Sequence, residues 1–297
     1  MKKLLLIILF AWPGVWSATA QQHLFGERLN KRDYDKLKRY HVTHKFAPVT
    51  SADLKMYCPK PVDQIGAICF AYASAYYGRT ILYNITVNET SDPDKNVFSF
   101  GFMALLAKNE GAINRVCKGG SSVAQACDDM ETIGAVKYAT LPDACPARKP
   151  LTPELKGEAA KYKVIAEKLY DQCTAPETKI AAIKSALADR TPVLFGLDVP
   201  DSFSSRNPAS NPQLWTLTDN DKRHISCDKS VHAMCIIGYD DNRFGGTFEI
   251  VNSWGPTWKN KGFTYISYQD LALIARYAVR IRNPTPTPAL SVTVHHS

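Results

Sequence analysis

At Pro192 the chain changes character, and that change narrows the folds open to it. Before it, residues 98–109, 121–134, 152–170 and 176–189 read as helices, the last two by their Ala, Lys and Glu content. After it, Val193–Val199, Ala233–Tyr239, Thr247–Asn252 and Gly262–Ser267 are rich in β-branched and aromatic residues, the signature of strands. Helices gathered early and strands late predict an α+β fold of two lobes. Residues 69–82 are apolar almost all round, which predicts a buried helix with Gly78 near its end. Residues 57–64, broken by Pro and Cys, read as extended chain. Residues 201–230 read as a long polar surface loop, and Pro284 onward as a loose Pro/Thr-rich tail.

The ends set the expected compartment. Lys2 and Lys3 precede an unbroken apolar run, Leu4–Ala11, and Ala18 and Ala20 give an A-x-A cleavage pattern. Residues 1–20 therefore read as a secretory signal peptide, too short to span a bilayer. The mature protein is expected to be soluble and extracytoplasmic: secreted, periplasmic or lumenal. The formal charge of +8 is uneven. Residues 21–55 carry eight Lys/Arg against four Asp/Glu, whereas the chain beyond them is close to neutral. That argues for a separable basic arm and against nucleic-acid binding. Lys31–Tyr40 places Tyr34, Leu37 and Tyr40 three apart, helical spacing on a charged segment. Eight cysteines in a secreted chain imply disulfides. Cys145 and Cys173 are candidates to close one loop. Cys58, Cys117, Cys127 and Cys227 compete for the others, and Cys235, inside an apolar run, is expected to stay a buried thiol. Asn84-Ile-Thr and Asn88-Glu-Thr are glycosylation sequons.

The chain has no H-E-x-x-H, no Gly-rich phosphate loop and no G-x-S-x-G, so metal, phosphate and serine-esterase chemistry have no sequence support. Cys69 is different. A thiol that opens an apolar helix is stabilised as an anion by the helix dipole, and a neighbouring imidazolium lowers its pKa further. Of seven His residues, only His232 opens an apolar strand. Twenty residues on, Asn252-Ser253-Trp254-Gly255 ends another strand. An Asn amide there can accept from the His ring and fix its tautomer, with Trp254 covering the bond.

These segments resemble the papain/cathepsin family of cysteine peptidases. Four blocks match in order: Gln64 with Cys69-Phe70-Ala71-Tyr72-Ala73; Cys117-Lys118-Gly119-Gly120; His232-Ala233 running to Gly238-Tyr239; and Asn252-Ser253-Trp254-Gly255 with Trp258 and Gly262-Phe263. The resemblance spans roughly residues 57–282. It implies a papain-like two-lobed fold, with the helical lobe at about 65–175, the β-barrel-like lobe at about 176–283 and the active site between them. It implies Cys69 as nucleophile, His232 as base and Asn252 as orienter. Gln64 and the Cys69 N–H would bind the oxyanion. Gly119 and Gly120 would pair with an extended peptide, Ala233 would line the pocket two residues before the cut, and Trp254 would cover the His–Asn pair. Three departures stand out. Gln64 lies one position closer to Cys69 than the family spacing. Gly66 replaces the Cys three before the nucleophile, so Cys117 lacks its usual disulfide partner. Phe70 replaces Trp. His232 also follows Cys69 at a distance beyond the roughly 130–150 residues usual for such enzymes, so insertions are needed.

The resulting expectation is a secreted, cofactor-free cysteine peptidase with no metal, working through an acyl-enzyme on peptide or protein substrates. It would be monomeric, open to a proteinaceous inhibitor, and bound to neither nucleic acid nor membrane after signal cleavage. The domain plan is 1–20 signal peptide, 21–55 basic arm or inhibitory propeptide, 56–283 peptidase domain and 284–297 tail. The alternatives are a catalytically impaired papain-like peptide binder and a non-proteolytic cysteine amidase or acyltransferase.

Overall fold

The computed structural model describes residues 24–42, 49–107, 116–205, 211–226 and 231–284. The expected signal peptide, Cys227 and all of the expected tail but Pro284 lie outside them. The central strand is β6 (His232–Asp240), buried from His232 through Tyr239. Antiparallel neighbours flank it, β4 (Val193–Leu197) on one side and β7 (Thr247–Val251) on the other. Beyond β7 come β8 (Phe263–Ser267) and the short β5 (Leu214–Trp215). Beyond β4 come β9 (Ala275–Arg282), β3 (Ile165–Lys168) and β1 (Lys38–Arg39). β2 (Ser51–Asp53) pairs with the far end of β6, so the body's sheet begins inside the segment assigned to the arm.

The helix predicted at 69–82 forms and runs further. α2 (Cys69–Ala71) continues through a π-helical stretch, Tyr72–Arg79, into α3 (Thr80–Val87). Residues 69–82 are buried all round because β4 and β6 cover one side while α4 (Phe100–Leu106) and α5 (Val123–Thr132) cover the other. Side-chain caps set the starts of these neighbours: Ser99 accepts from the Phe102 N–H, and Ser122 from the Gln125 N–H, both at 3.1 Å.

The stretch 152–170 is not one helix. α6 (Pro153–Ala160), capped by Thr152, is followed by strand β3. The edge of β9 overrides local propensity here, with Ala166 buried and Glu167 accepting from both Arg280 and Arg282. Helix α7 (Pro176–Ala188) matches the predicted 176–189. The insertion 201–230 is more than a surface loop. It contains α8 (Asp219–His224), closed by a Thr218–Asp221 capping box, and it buries Phe203, Trp215 and Leu217. The terminal unit α9 (Tyr268–Ile274) plus β9 carries no strong sequence signal, since Arg276, Arg280 and Arg282 interrupt its apolar pattern.

The disulfide expectation is corrected. Cys145 pairs with Cys117, Cα atoms 5.4 Å apart, rather than with Cys173, which is itself disulfide-bonded. Cys58, Cys69, Cys127 and Cys235 are buried free thiols. The sequon at Asn84 is buried, its amide donating to the carbonyls of Tyr57 and Pro93 at 3.0 Å, whereas Asn88 is exposed at a helix end.

Part of the basic arm is docked. In α1 (Lys31–Lys36) and the chain after it, Tyr34, Leu37 and Tyr40 are buried, and the Tyr34 hydroxyl bonds the carbonyls of Tyr170 and Ala278.

Candidate active site

Helix α2 presents Cys69 at its first position, fully buried. The preceding turn is tight. Gly66 has φ +68°, a region that side-chained residues rarely adopt, and a Cβ there would stand 2.3 Å from the Cys117 carbonyl oxygen. That same carbonyl accepts from the Ala67 N–H at 2.9 Å. The missing residue between Gln64 and Cys69 and the missing Cys are therefore one change. The turn passes so close to Cys117 that a cysteine at position 66 has no room, and Cys117 is tied instead to Cys145.

Gln64 is buried and held at both ends. Its Oε1 accepts from the Ser253 hydroxyl at 2.7 Å, and its Nε2 donates to the Gly66 carbonyl at 2.9 Å and to the Leu24 carbonyl at 2.8 Å. The Asn252-Ser253-Trp254-Gly255 block thus locks the amide that faces the cleft.

His232 opens β6, and its Nε2 lies 2.8 Å from Asn252 Oδ1. That oxygen also accepts from the Ser253 N–H at 2.8 Å, which identifies it as the amide oxygen. The ring Nε2 must then be the donor, and Nδ1 is the basic nitrogen. Aromatic rings enclose the imidazole: Trp254 at 5.4 Å, Phe203 at 5.3 Å and Phe25 at 5.7 Å between centroids. Ala233, next in β6, is buried opposite Gly196 of β4. Cys69, His232, Asn252, Gln64, Ala233 and Trp254, which the sequence singled out, therefore meet at one place.

The strip Cys117–Ser121 forms the facing wall, and a piece of the chain itself lies on it. Gly26 O accepts from the Ser121 N–H at 2.9 Å, and the Arg28 N–H donates to Ser121 O at 2.8 Å, a parallel pairing centred on Glu27. On the opposite side the Glu27 N–H donates to Val231 O at 3.1 Å. A Cβ on Gly120 would stand 2.4 Å from Gly26 O, and one on Gly26 would stand 1.9 Å from Ala67 O. Gly120 and Gly26 thus permit a contact that any side chain would block. Gly119 precedes this contact, its N–H directed at Val116 O. Leu24–Arg28 therefore threads the groove between the strip and β6, its Leu24 carbonyl on the Gln64 amide and its Phe25 ring against His232 and Trp254.

In this state Cys69 is a thiol. Burial pushes its pKa up to about 12, and the nearby Glu27 adds to the rise. Backbone N–H groups of Gly26, Ala233 and Phe70 act in the opposite direction. Sequence reasoning missed Phe25, Glu27, Phe203, Ser253 and Tyr277. For Phe203 a signal existed, an aromatic residue inside an otherwise polar insertion.

A cysteine opening a buried helix, a His–Asn pair at a strand edge and a glutamine amide beside them are the arrangement a papain-type thiol peptidase site calls for. The family model for papain family cysteine proteases matches residues 110–280, more than half of the chain. The chain belongs to that family. Among solved structures it is similar to xylellain, a cysteine protease of Xylella fastidiosa (19% identity, 89% of this chain and 96% of that one, TM-score 0.63). It is also similar to a digestive procathepsin L2 of the Tenebrio molitor larval midgut (16%, 88% and 78%, 0.64). A third is bromelain of Ananas comosus, solved with the E64 inhibitor (18%, 79% and 99%, 0.57). At these identities the likeness concerns the fold. An uncharacterised peptidase C1-like protein of Acanthamoeba polyphaga mimivirus is 27% identical over 125 residues, which are 42% of this chain and 38% of that protein. The chain spans well under half of that relative's length.

Proposed function

We propose that this protein is an extracytoplasmic cysteine peptidase made as a zymogen, closed by its own segment Leu24–Arg28. One observation carries the reading. A peptide already lies in the cleft beside Cys69, and its Leu24 carbonyl accepts from the Gln64 amide at 2.8 Å. Gln64 is the donor the resemblance assigns to the oxyanion, so a backbone carbonyl resting on it supports a segment that occupies a substrate's place.

With the segment displaced, water reaches the thiol and the burial that holds its pKa high is relieved. His232 Nδ1 takes the thiol proton while Asn252 holds the ring. The thiolate adds to the scissile carbonyl carbon, and Gln64 and the Cys69 N–H stabilise the oxyanion. The C–N bond breaks as His232 returns its proton to the leaving amine, leaving a thioester on Cys69. A water deprotonated by His232 then cleaves the thioester, releasing the acid and restoring the thiol. Gly119, Gly120 and Ser121 would hold the substrate backbone. Substrates are peptides or unfolded protein segments, and a proteinaceous inhibitor would occupy the same groove as Leu24–Arg28. The signal-peptide pattern and the disulfide support an export pathway.

The test uses the full chain with Gly26→Val, whose side chain cannot lie over Ala67. A thiol-directed epoxide should give one covalent adduct at Cys69, and fluorogenic peptides should be cut, both being lost in Gly26→Val/Cys69→Ala. A folded Gly26→Val protein that gives neither adduct nor cleavage refutes the reading.

A further inference from the structure

The side chain of Glu27 enters a pocket beside the nucleophile, and that pocket is polar at its end. Glu27 is only 3% exposed. The Val123 N–H donates to its Oε2 at 3.1 Å, and the Tyr277 hydroxyl donates to its Oε1. The Val123 N–H also reaches the Tyr277 oxygen at 3.1 Å, which leaves the single hydroxyl proton directed at the carboxyl group. Val123 is the first residue of α5, where the N–H has no partner within the helix. Tyr277, on β9, is fully buried and fixed edge-on by Tyr34 at 5.0 Å. The titratable groups facing Glu27 are the Cys69 thiol of α2, the Cys127 thiol of α5 and Tyr277 of β9, and among the described residues no cation pairs with it. The two carboxyl oxygens each accept from one of these donors, a match that a glutamine amide, with one oxygen and an NH2 group, makes on one side only. An aliphatic side chain would bury the Tyr277 hydroxyl without a partner.

Resting on the peptidase reading, we propose that this is the specificity pocket of the enzyme. It selects peptides carrying glutamate at the residue lying opposite Ser121, and Tyr277 is the residue that reads it. Glu27 is the resident copy of that side chain. The closing segment thus uses the recognition it withholds from substrates.

The experiment uses the full Gly26→Val chain at pH 5 with fluorogenic peptides that differ only at this position. Glu peptides should be cut with kcat/KM at least tenfold above Leu and Phe peptides, and above Gln peptides at pH 5. Tyr277→Phe should bring the ratio within about threefold, a loss of discrimination of the size expected when one buried hydroxyl partner is removed. As the pH rises from 5 to 8 the Glu:Gln ratio should fall, approaching tenfold per unit, because only the Glu peptide must take up a proton to enter. Equal cleavage of Leu and Glu peptides, or an unaltered ratio in a folded Tyr277→Phe chain, overturns the proposal. Should no peptide be cut, the peptidase reading fails and the pocket is decided by binding. Labelled Leu-Phe-Gly-X-Arg with X as Glu should bind at least tenfold tighter than X as Leu by fluorescence anisotropy, and equal binding overturns the pocket.

Discussion

Raising the pH should open the cleft, and Glu27 sets the direction. Burial raises the Glu27 pKa from 4.5 to about 8, against the opposing hydrogen bonds from Tyr277 and Val123. When the segment is released into water the carboxyl group returns to its ordinary value. Below pH 4.5 Glu27 is protonated in both states and docking is at full strength. Between about 4.5 and 8 the docked state holds a proton that the released state does not. Docking then weakens by about 1.4 kcal/mol per pH unit, roughly 5 kcal/mol across the window. Each backbone hydrogen bond that holds the segment contributes only about 0.5–1.5 kcal/mol. The proton therefore outweighs any single contact of the segment. The assay is the rate of Cys69 alkylation in the wild type divided by that in Glu27→Gln at the same pH, which cancels the ionisation of the thiol and of His232. The ratio should climb with pH, by up to tenfold per unit, until the cleft is open. Parallel profiles from pH 5 to 8, or a ratio that falls as pH rises, would refute the reasoning.

Reducing the Cys117–Cys145 disulfide, which spans 28 positions, should cost about 3.6 kcal/mol by loop-closure entropy and lower the melting temperature. An unchanged melting curve of Cys145→Ser would contradict this. Asn252→Ala in the Gly26→Val chain should lower kcat by about a hundredfold with little change in KM, because the ring loses its orienting partner; a change confined to KM would remove Asn252 from the mechanism. Expressed in a glycosylating host, the folded protein should carry a glycan at Asn88 and none at Asn84. Peptide mass spectrometry reads both sites.

The candidate site was legible in the sequence because the residues it gathers have local surroundings. Cys69 opens an apolar run, His232 opens another, and Asn252 ends a strand within its own four-residue block. Everything that occludes or discriminates was hidden, because it depends on long-range packing. Glu27 looks like one more charge in a basic arm until Tyr277, 250 residues away, is brought against it. Phe203 sits in a polar stretch and gains meaning only through the ring of His232. The same cause lies behind the misread helix at 152–170, where the exposed edge of β9 and its arginines recruit Ile165–Lys168 as a strand. The shortened approach to Cys69 illustrates the point from the other side. Read along the chain, the lost residue and the lost cysteine are two separate defects that put the oxyanion donor in question. In space, Gly66 closes the turn against the Cys117 carbonyl and Ser253 clamps Gln64, so its amide still faces the cleft. The departure changes which cysteine secures the wall and leaves the Gln64 amide directed at the Leu24 carbonyl in the groove.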